Sequence, residues 1–272
     1  MSLPTFVCTE AFEAGQVLTL GEDAAHHMRV LRFDIGQRVR VLDGQGRTGE
    51  GTVVRLAKRN ASVELESASY VEPPPAVHVI VPISDRDRML WLAEKTTELA
   101  ATSWRPVMWR RSRSVSPRGE GPVFSQKVGA RMAAALEQSK GAWLPVVYPD
   151  ATLERAIAAA PDGVRFVLDA GGAPIARVLS AALATVSAGG VPAITIAVGP
   201  EGGLDESELA LLGESGFRPV SLGHTVLRFE TAAVAGLAVV RTALAALGFI
   251  GTSLDDAPAA DAPHTDGGSA DG

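Results

Sequence analysis

Cysteine is almost missing from this chain: Cys8 is the only one in 272 residues. That excludes a disulfide framework and a cysteine-built metal cluster. The adjacent pair His26-His27 is by itself a weak metal signal, so no metal site is expected. The first ten residues, MSLPTFVCTE, carry neither a basic region nor a long apolar run, and no signal peptide is expected. The most apolar stretch, Thr231 to Ile250, has Arg241 at its middle. A centred arginine costs about 2.5–3.5 kcal/mol on insertion scales, so a buried interface helix is expected there rather than a membrane span. These absences point to a cytoplasmic protein. Also missing are a G-x-G-x-x-G spacing and a Walker lysine, which weighs against dinucleotide and nucleoside-triphosphate binding.

A net charge of −6 by itself weighs against a nucleic-acid binder, but the charge is unevenly spread. Residues 251–272 contain Asp255, Asp256, Asp261, Asp266 and Asp271 and no lysine or arginine, so −6 + 5 leaves −1 for the body. This tail of Ala, Gly, Pro, Ser and Asp lacks the apolar residues for a core and is expected to be disordered. Cations cluster in the near-neutral body. Arg29, Arg32, Arg38, Arg40, Arg47, Arg55, Lys58 and Arg59 fall in one run. Arg105, Arg110, Arg111, Arg113 and Arg118 fall in another that contains no acid. Guanidinium groups grip phosphates in bidentate fashion. Trp104 and Trp109, interleaved with the second run, are expected in the core rather than stacked on bases.

Residues 1–71 read as a small β-rich barrel. Thr5–Cys8, Val17–Leu20, Gln37–Leu42, Thr48–Leu56 and Ser62–Leu65 are strand candidates, with a helical turn at Ala24–Leu31 and a turn at Asp43-Gly44-Gln45-Gly46. Glu72-Pro73-Pro74-Pro75 is a stiff linker. Residues 76–250 alternate strands and helices, the pattern of an α/β domain. A strand at Val77–Ile83 leads to a helix capped by Ser84 with Asp87 and running to about Ala100. Helices at 123–139 and 152–159 follow.

The rest is organised around Ile194 to Ala235. The strand Ile194–Val198 runs into Gly199-Pro200-Glu201-Gly202-Gly203, and Asp205 with Glu208 has capping-box spacing. A second strand, Pro219–Leu222, runs into Gly223-His224, and LRFETA opens the last helix. With Val164–Leu168 leading into Asp169-Ala170-Gly171-Gly172, three strands deliver three loops to the carboxyl edge of one sheet, where ligands bind in open α/β folds. Glu201 in the first loop would repel a polyanion, so a neutral or cationic ligand is expected.

The VGPEGG and SLGxxxLRxETA motifs resemble the SPOUT trefoil-knot methyltransferases. More narrowly, they resemble the family that methylates N3 of a uridine in 16S ribosomal RNA, at position 1498 of the usual RNA numbering. HHMRVLRFDIGQRVRVLDGQG is similar to that family's PUA-like domain, and KTTELA and the EQ segment at Glu137-Gln138 to others of its motifs. The resemblance implies a PUA-like RNA-binding β-barrel followed by a SPOUT knot domain that binds S-adenosyl-L-methionine. It also implies a 16S rRNA or 30S-subunit substrate and a homodimer packed partly through the Ala-rich helix 231–248. Leu168, Asp169, Gly199, Glu201, Gly202, Leu222, Gly223 and Leu227 would hold the cofactor. Arg228 would stabilise charge spreading over the uracil oxygens, with an ion pair to Glu230 as the alternative, and Glu230 would act as base or orienter, or only cap the last helix. Arg29, Arg32, Arg110, Arg111 and Arg113 would face RNA. The chain departs from the family pattern at Ala100, at Lys140-Gly141 and at Phe229, where glycine, Gly-Arg and threonine are usual. Methylation at pyrimidine C5 commonly needs a cysteine nucleophile, and Cys8 lies in the other domain, which favours a ring nitrogen or ribose oxygen. Ribose 2′-O methylation, non-catalytic RNA binding and a nucleotide-using enzyme stay open as alternatives.

Overall fold

A computed structural model describes residues 3–8, 10–112, 121–184 and 190–249. Arg113, Arg118 and the acidic tail lie outside the described residues. Two compact units are present, one ending at Val71 and one starting at Glu72.

The first unit contains β1 (Thr5–Val7), β2 (Val17–Leu20), α1 (Glu22–Val30), β3 (Arg38–Leu42), β4 (Arg47–Leu56) and β5 (Ala61–Tyr70). Its sheet order is β1-β3-β4-β5-β2, with β1 parallel to β3 and the other pairs antiparallel. No pairing joins β1 to β2 among the described residues, and the unit is the small β-rich barrel expected, in its half-barrel form. Period-two alternation buries Val39 and Val41 on one face, against Phe6, Phe12, Met28, Val63 and Leu65. Asp43 organises the β3–β4 turn: its Oδ1 accepts from the backbone N–H of Gln45 at 2.7 Å and of Arg47 at 3.0 Å. α1 is a nine-residue helix rather than a turn, with Glu22 and Asp23 in its first turn, where acids complement the helix dipole. Cys8 is buried, and loss of hydration pushes its thiol pKa up to about 11.

The second unit runs β6 (Val77–Pro82), α2 (Arg86–Glu98), β7 (Ser103–Met108), α3 (Gly121–Ser139), β8 (Val146–Val147), β9 (Ala151–Thr152), α4 (Leu153–Ala158), β10 (Gly163–Pro174), α5 (Ile175–Leu183), β11 (Ala193–Val198), α6 (Glu206–Glu214), β12 (Arg218–Ser221) and α7 (Phe229–Ala246). The strand order is β12-β10-β11-β6-β7-β8, with β9 also on β7, and every pairing is parallel. Both faces are covered, which is why the central strands read as unbroken apolar runs. Val77, Val79, Val81, Ile194, Ile196 and Val198 face a core shared with α2, α3, α5 and α7. Ile80, Val107 and Ala197 face a second core with Leu153, Leu212 and Phe217. From β11 the chain crosses β10 to reach β12, then returns so that α7 packs on β6, β11, α2 and α5. This double crossing of β10 is the connectivity a knotted C-terminal segment requires.

Trp104 and Trp109 are 1% and 2% exposed, in the core as expected. The cap of α2 is Asp85 rather than Ser84: the Asp85 carboxylate accepts from the Arg88 N–H at 3.1 Å. α2 ends in a Schellman pair, Ala101 N–H to Thr96 O and Ala100 N–H to Thr97 O, which places Ala100 at φ +52. Lys140, just after α3, sits at φ +57. Both stand where the resembling family has glycine, so the fold keeps the left-handed turns without it. α7 is long and apolar enough to cross a membrane, but it is a core helix here. Arg241 donates from it to the carbonyls of Pro75, Leu99 and Ala100.

Candidate active site

The carboxyl ends of β10, β11 and β12 meet at a cleft of about 250 Å³. On β10 the register breaks between Leu168 and Ala173, and both residues lie opposite Val220. The four residues Asp169–Gly172 are therefore looped out against a single residue of β12. They form a bulge inside a strand rather than the strand-to-helix loop expected. Asp169 Oδ1 closes the bulge by accepting from the Gly171 N–H at 2.7 Å. Glycine is needed at its base: a Cβ on Gly172 would stand 2.5 Å from the Val220 nitrogen.

The β11 loop turns back through a Gly203 N–H to Pro200 O bond of 2.9 Å. It then enters α6 through the complete Asp205–Glu208 capping box. Glu208 is buried, and its other carboxylate oxygen accepts from the Arg110 N–H at 2.7 Å, tying the end of the basic stretch to α6. The loop after β12 supplies Leu222, Gly223 and Leu227 to the cleft before Arg228 caps α7.

Of the residues expected to hold a ligand, Leu168, Asp169, Gly199, Glu201, Leu222, Gly223 and Leu227 all line this cleft. Gly202 does not: it faces Arg111, whose carbonyl oxygen would lie 3.0 Å from an added Cβ. The Glu201 carboxylate is already paired, with the Arg88 guanidinium. Arg88 also reaches Asp85 at 3.2 Å and Glu230 at 3.8 Å. The hydrogen bond it donates to Glu201 strengthens the hold of Arg88 on its proton.

The alternative reading of Arg228, an ion pair with Glu230, has no counterpart among the described residues. The Arg228 side chain is exposed, and Glu230 turns toward α2 instead, because Arg88 supplies the nearer cation. Glu230 Oε2 is buried with no hydrogen-bond partner. Arg29, Arg32, Arg110 and Arg111 are exposed, and no metal-binding group of residues occurs among the described residues.

Sequence reasoning gave no site role to Arg88, Val198, Pro200 or Phe229, all of which line the cleft or the recess beside it. A signal for Arg88 existed. Arg86 and Arg88 both sit in the first turn of α2, where the helix dipole disfavours cations. An arginine kept there implies carboxylates facing it.

Residues 71–241 match the RNA methyltransferase domain family, and residues 20–66 the RNA methyltransferase PUA domain family. The ribosomal RNA small subunit methyltransferase E of Mycobacterium tuberculosis is 30% identical over 253 residues, covering 90% of each chain. The protein of the same name from Synechocystis is 29% identical over 232 residues, 84% of this chain and 73% of that one. Among solved structures, ribosomal RNA small subunit methyltransferase E from Neisseria gonorrhoeae, bound to S-adenosyl methionine, superposes with a TM-score of 0.75. It is 27% identical and covers 89% of this chain and 98% of that one. A probable rRNA-methyltransferase from Porphyromonas gingivalis has the same fold at 24% identity, with a TM-score of 0.74 over 90% of this chain and all of that one.

Proposed function

The chain belongs to the RNA methyltransferase family that includes ribosomal RNA small subunit methyltransferase E, and from that premise we propose that it methylates N3 of a uridine in 16S rRNA. S-adenosyl-L-methionine is the proposed methyl donor. The observation that carries the reading is the convergence of three loops, from three neighbouring parallel strands, on one glycine-walled cleft.

The cleft suits this cofactor. Gly199, Gly203 and Gly223 line it, so part of its wall is bare backbone, as a planar adenine needs. Leu168, Leu222, Leu227 and Phe229 supply apolar surface, and Asp169 brings an acceptor to the rim. When bound, S-adenosylmethionine supplies a methyl group on a sulfonium centre.

The protein's part is alignment and charge. Uracil N3 is a poor nucleophile while protonated, so the site must remove a proton and stabilise negative charge on O2 and O4. Arg228, exposed and beside the cleft wall at Leu227 and Phe229, takes the second role. Glu230, with one buried oxygen free to accept, takes or orients the proton. The exposed Arg29, Arg32, Arg110 and Arg111, with Arg113, hold phosphates. The protein works in the cytoplasm as a homodimer packed partly through α7.

The test is methyl transfer from labelled S-adenosylmethionine to 30S subunits and to naked 16S rRNA, followed by nucleoside analysis. 3-Methyluridine is expected, with Arg228→Ala losing transfer while keeping cofactor binding. A 2′-O-methyl product would move the chain to a ribose-methylating relative, and failure to bind the cofactor would refute the reading outright.

A further inference from the structure

A second recess of about 120 Å³ adjoins the cleft. Its lining includes Ser84, Asp85, Arg88, Arg111 and Ser112. It shares Pro200, Glu201 and Phe229 with the cleft, so these three form a common wall. We propose that this recess seats the acceptor base, and that Arg88 is the positioning residue that holds Glu201 at the junction. The proposal rests on the methyltransferase reading above and names the place of its substrate.

Three observations carry it. The first is adjacency. Direct displacement needs the acceptor atom within about 3–3.5 Å of the methyl group, so the acceptor pocket must share a wall with the donor pocket. The larger apolar cavity between α2, α3 and β7 shares no lining residue with the cleft.

The second is size. An engineered cavity of about 150 Å³ takes a benzene ring. At about 120 Å³ the recess is of the same order, suited to a single six-membered ring rather than a fused purine.

The third is chemistry. Uracil presents a donor, N3–H, between two carbonyl acceptors. The recess offers guanidinium donors from Arg111 to those carbonyls, while Arg88 is held by its own carboxylates. Cytosine, with an amine at C4, would set a donor against that donor. Arg88 is anchored by Asp85 and Glu230 as well as Glu201, so the charged cluster is set before substrate arrives.

The experiment uses the full chain and 30S subunits. Ser84→Leu fills the recess, and Arg88→Gln and Arg88→Lys probe the anchor. Steady-state methyl transfer, calorimetric cofactor binding and melting temperature are read for each. Ser84→Leu and Arg88→Gln should lose at least tenfold in kcat/KM with cofactor Kd within twofold of the parent, and Arg88→Lys should recover part of the loss. A merely structural Arg88 would move cofactor Kd and melting temperature instead.

Photo-crosslinking with 30S subunits reconstituted to carry 4-thiouridine at the methylated position gives a readout independent of how the variants fold. Crosslinks to the peptides containing Ser84–Arg88 or Arg111–Ser112 are expected. Unchanged transfer by Ser84→Leu, or crosslinks only elsewhere, would overturn the recess assignment while the parent still makes 3-methyluridine. If the parent makes no methylated pyrimidine, the underlying reading fails and the proposal falls with it.

Discussion

Gly172→Ala tests whether the bulge on β10 shapes the cofactor cleft. The added Cβ would lie 2.5 Å from the Val220 nitrogen, 2.6 Å from the Pro219 carbonyl carbon and 2.7 Å from the Val220 Cα. All three are backbone atoms of β12, so no side chain can swing aside. Ordinary contact begins at 3.4 Å, so the two strands must part by about 0.9 Å at Val220. Overpacking of this kind costs about 1–3 kcal/mol. For a unit of this size each kcal/mol lowers the melting temperature by about 2–4 °C, giving a loss of roughly 2–12 °C. The displaced backbone carries Leu168, Asp169, Val220 and Leu222, which line the cleft on both sides. A misfit there of about 1.4 kcal/mol would weaken S-adenosylmethionine tenfold. Calorimetric titration and thermal melting read both quantities. Gly213→Ala is the control, because a Cβ there meets nothing within 4 Å, and it should leave binding unchanged. A Gly172→Ala protein with parental melting temperature and cofactor Kd within twofold would refute the steric argument and the role of the bulge.

Ala100→Gly should stabilise the protein. It relieves a left-handed residue costing about 1–2 kcal/mol and gives back about 0.5–1 kcal/mol in unfolded-chain entropy. Denaturant titration should show a net gain of roughly 0.5–1 kcal/mol, and a loss would show that φ +52 is unstrained here. His78 gives a pH dependence. Burial and then the Arg241 charge hold its pKa below the usual 6.5, with Ser103 Oγ 2.7 Å from Nδ1. The unfolded chain takes up a proton near 6.5 and the folded chain resists, so stability present above that pH falls as the pH drops below it. Chemical denaturation between pH 7.5 and 5.5 should show this decline, and His78→Gln should flatten it. An equal slope in both proteins would assign the decline to other groups.

Elements with strong local signals are legible in the sequence. Val39 and Val41 mark the buried face of β3, and the Asp205–Glu208 spacing marks a capping box that is present in full. The core places of Trp104 and Trp109 follow from their apolar neighbours. Signals that depend on a distant partner are not legible. The cap of α2 falls to Asp85 because only its carboxylate reaches the Arg88 N–H. The stretch at 169–172 reads as a loop, since its pairing partner Val220 lies some fifty residues on.

The sequence by itself determined the local order of the chain: which runs are strands, where helices start, which segments carry charge, and which motifs resemble a methyltransferase. Those properties arise from near neighbours, through backbone sterics, side-chain period and capping. The tertiary structure alone decided the pairings. It engaged the cleft-lining Glu201 with Arg88, left Arg228 apart from Glu230, and gave Gly202 to Arg111 rather than to the cleft. Arg88 lies 113 residues from Glu201. Only folding brings the N-terminus of α2 under the loop after β11, and with it the recess beside the cleft.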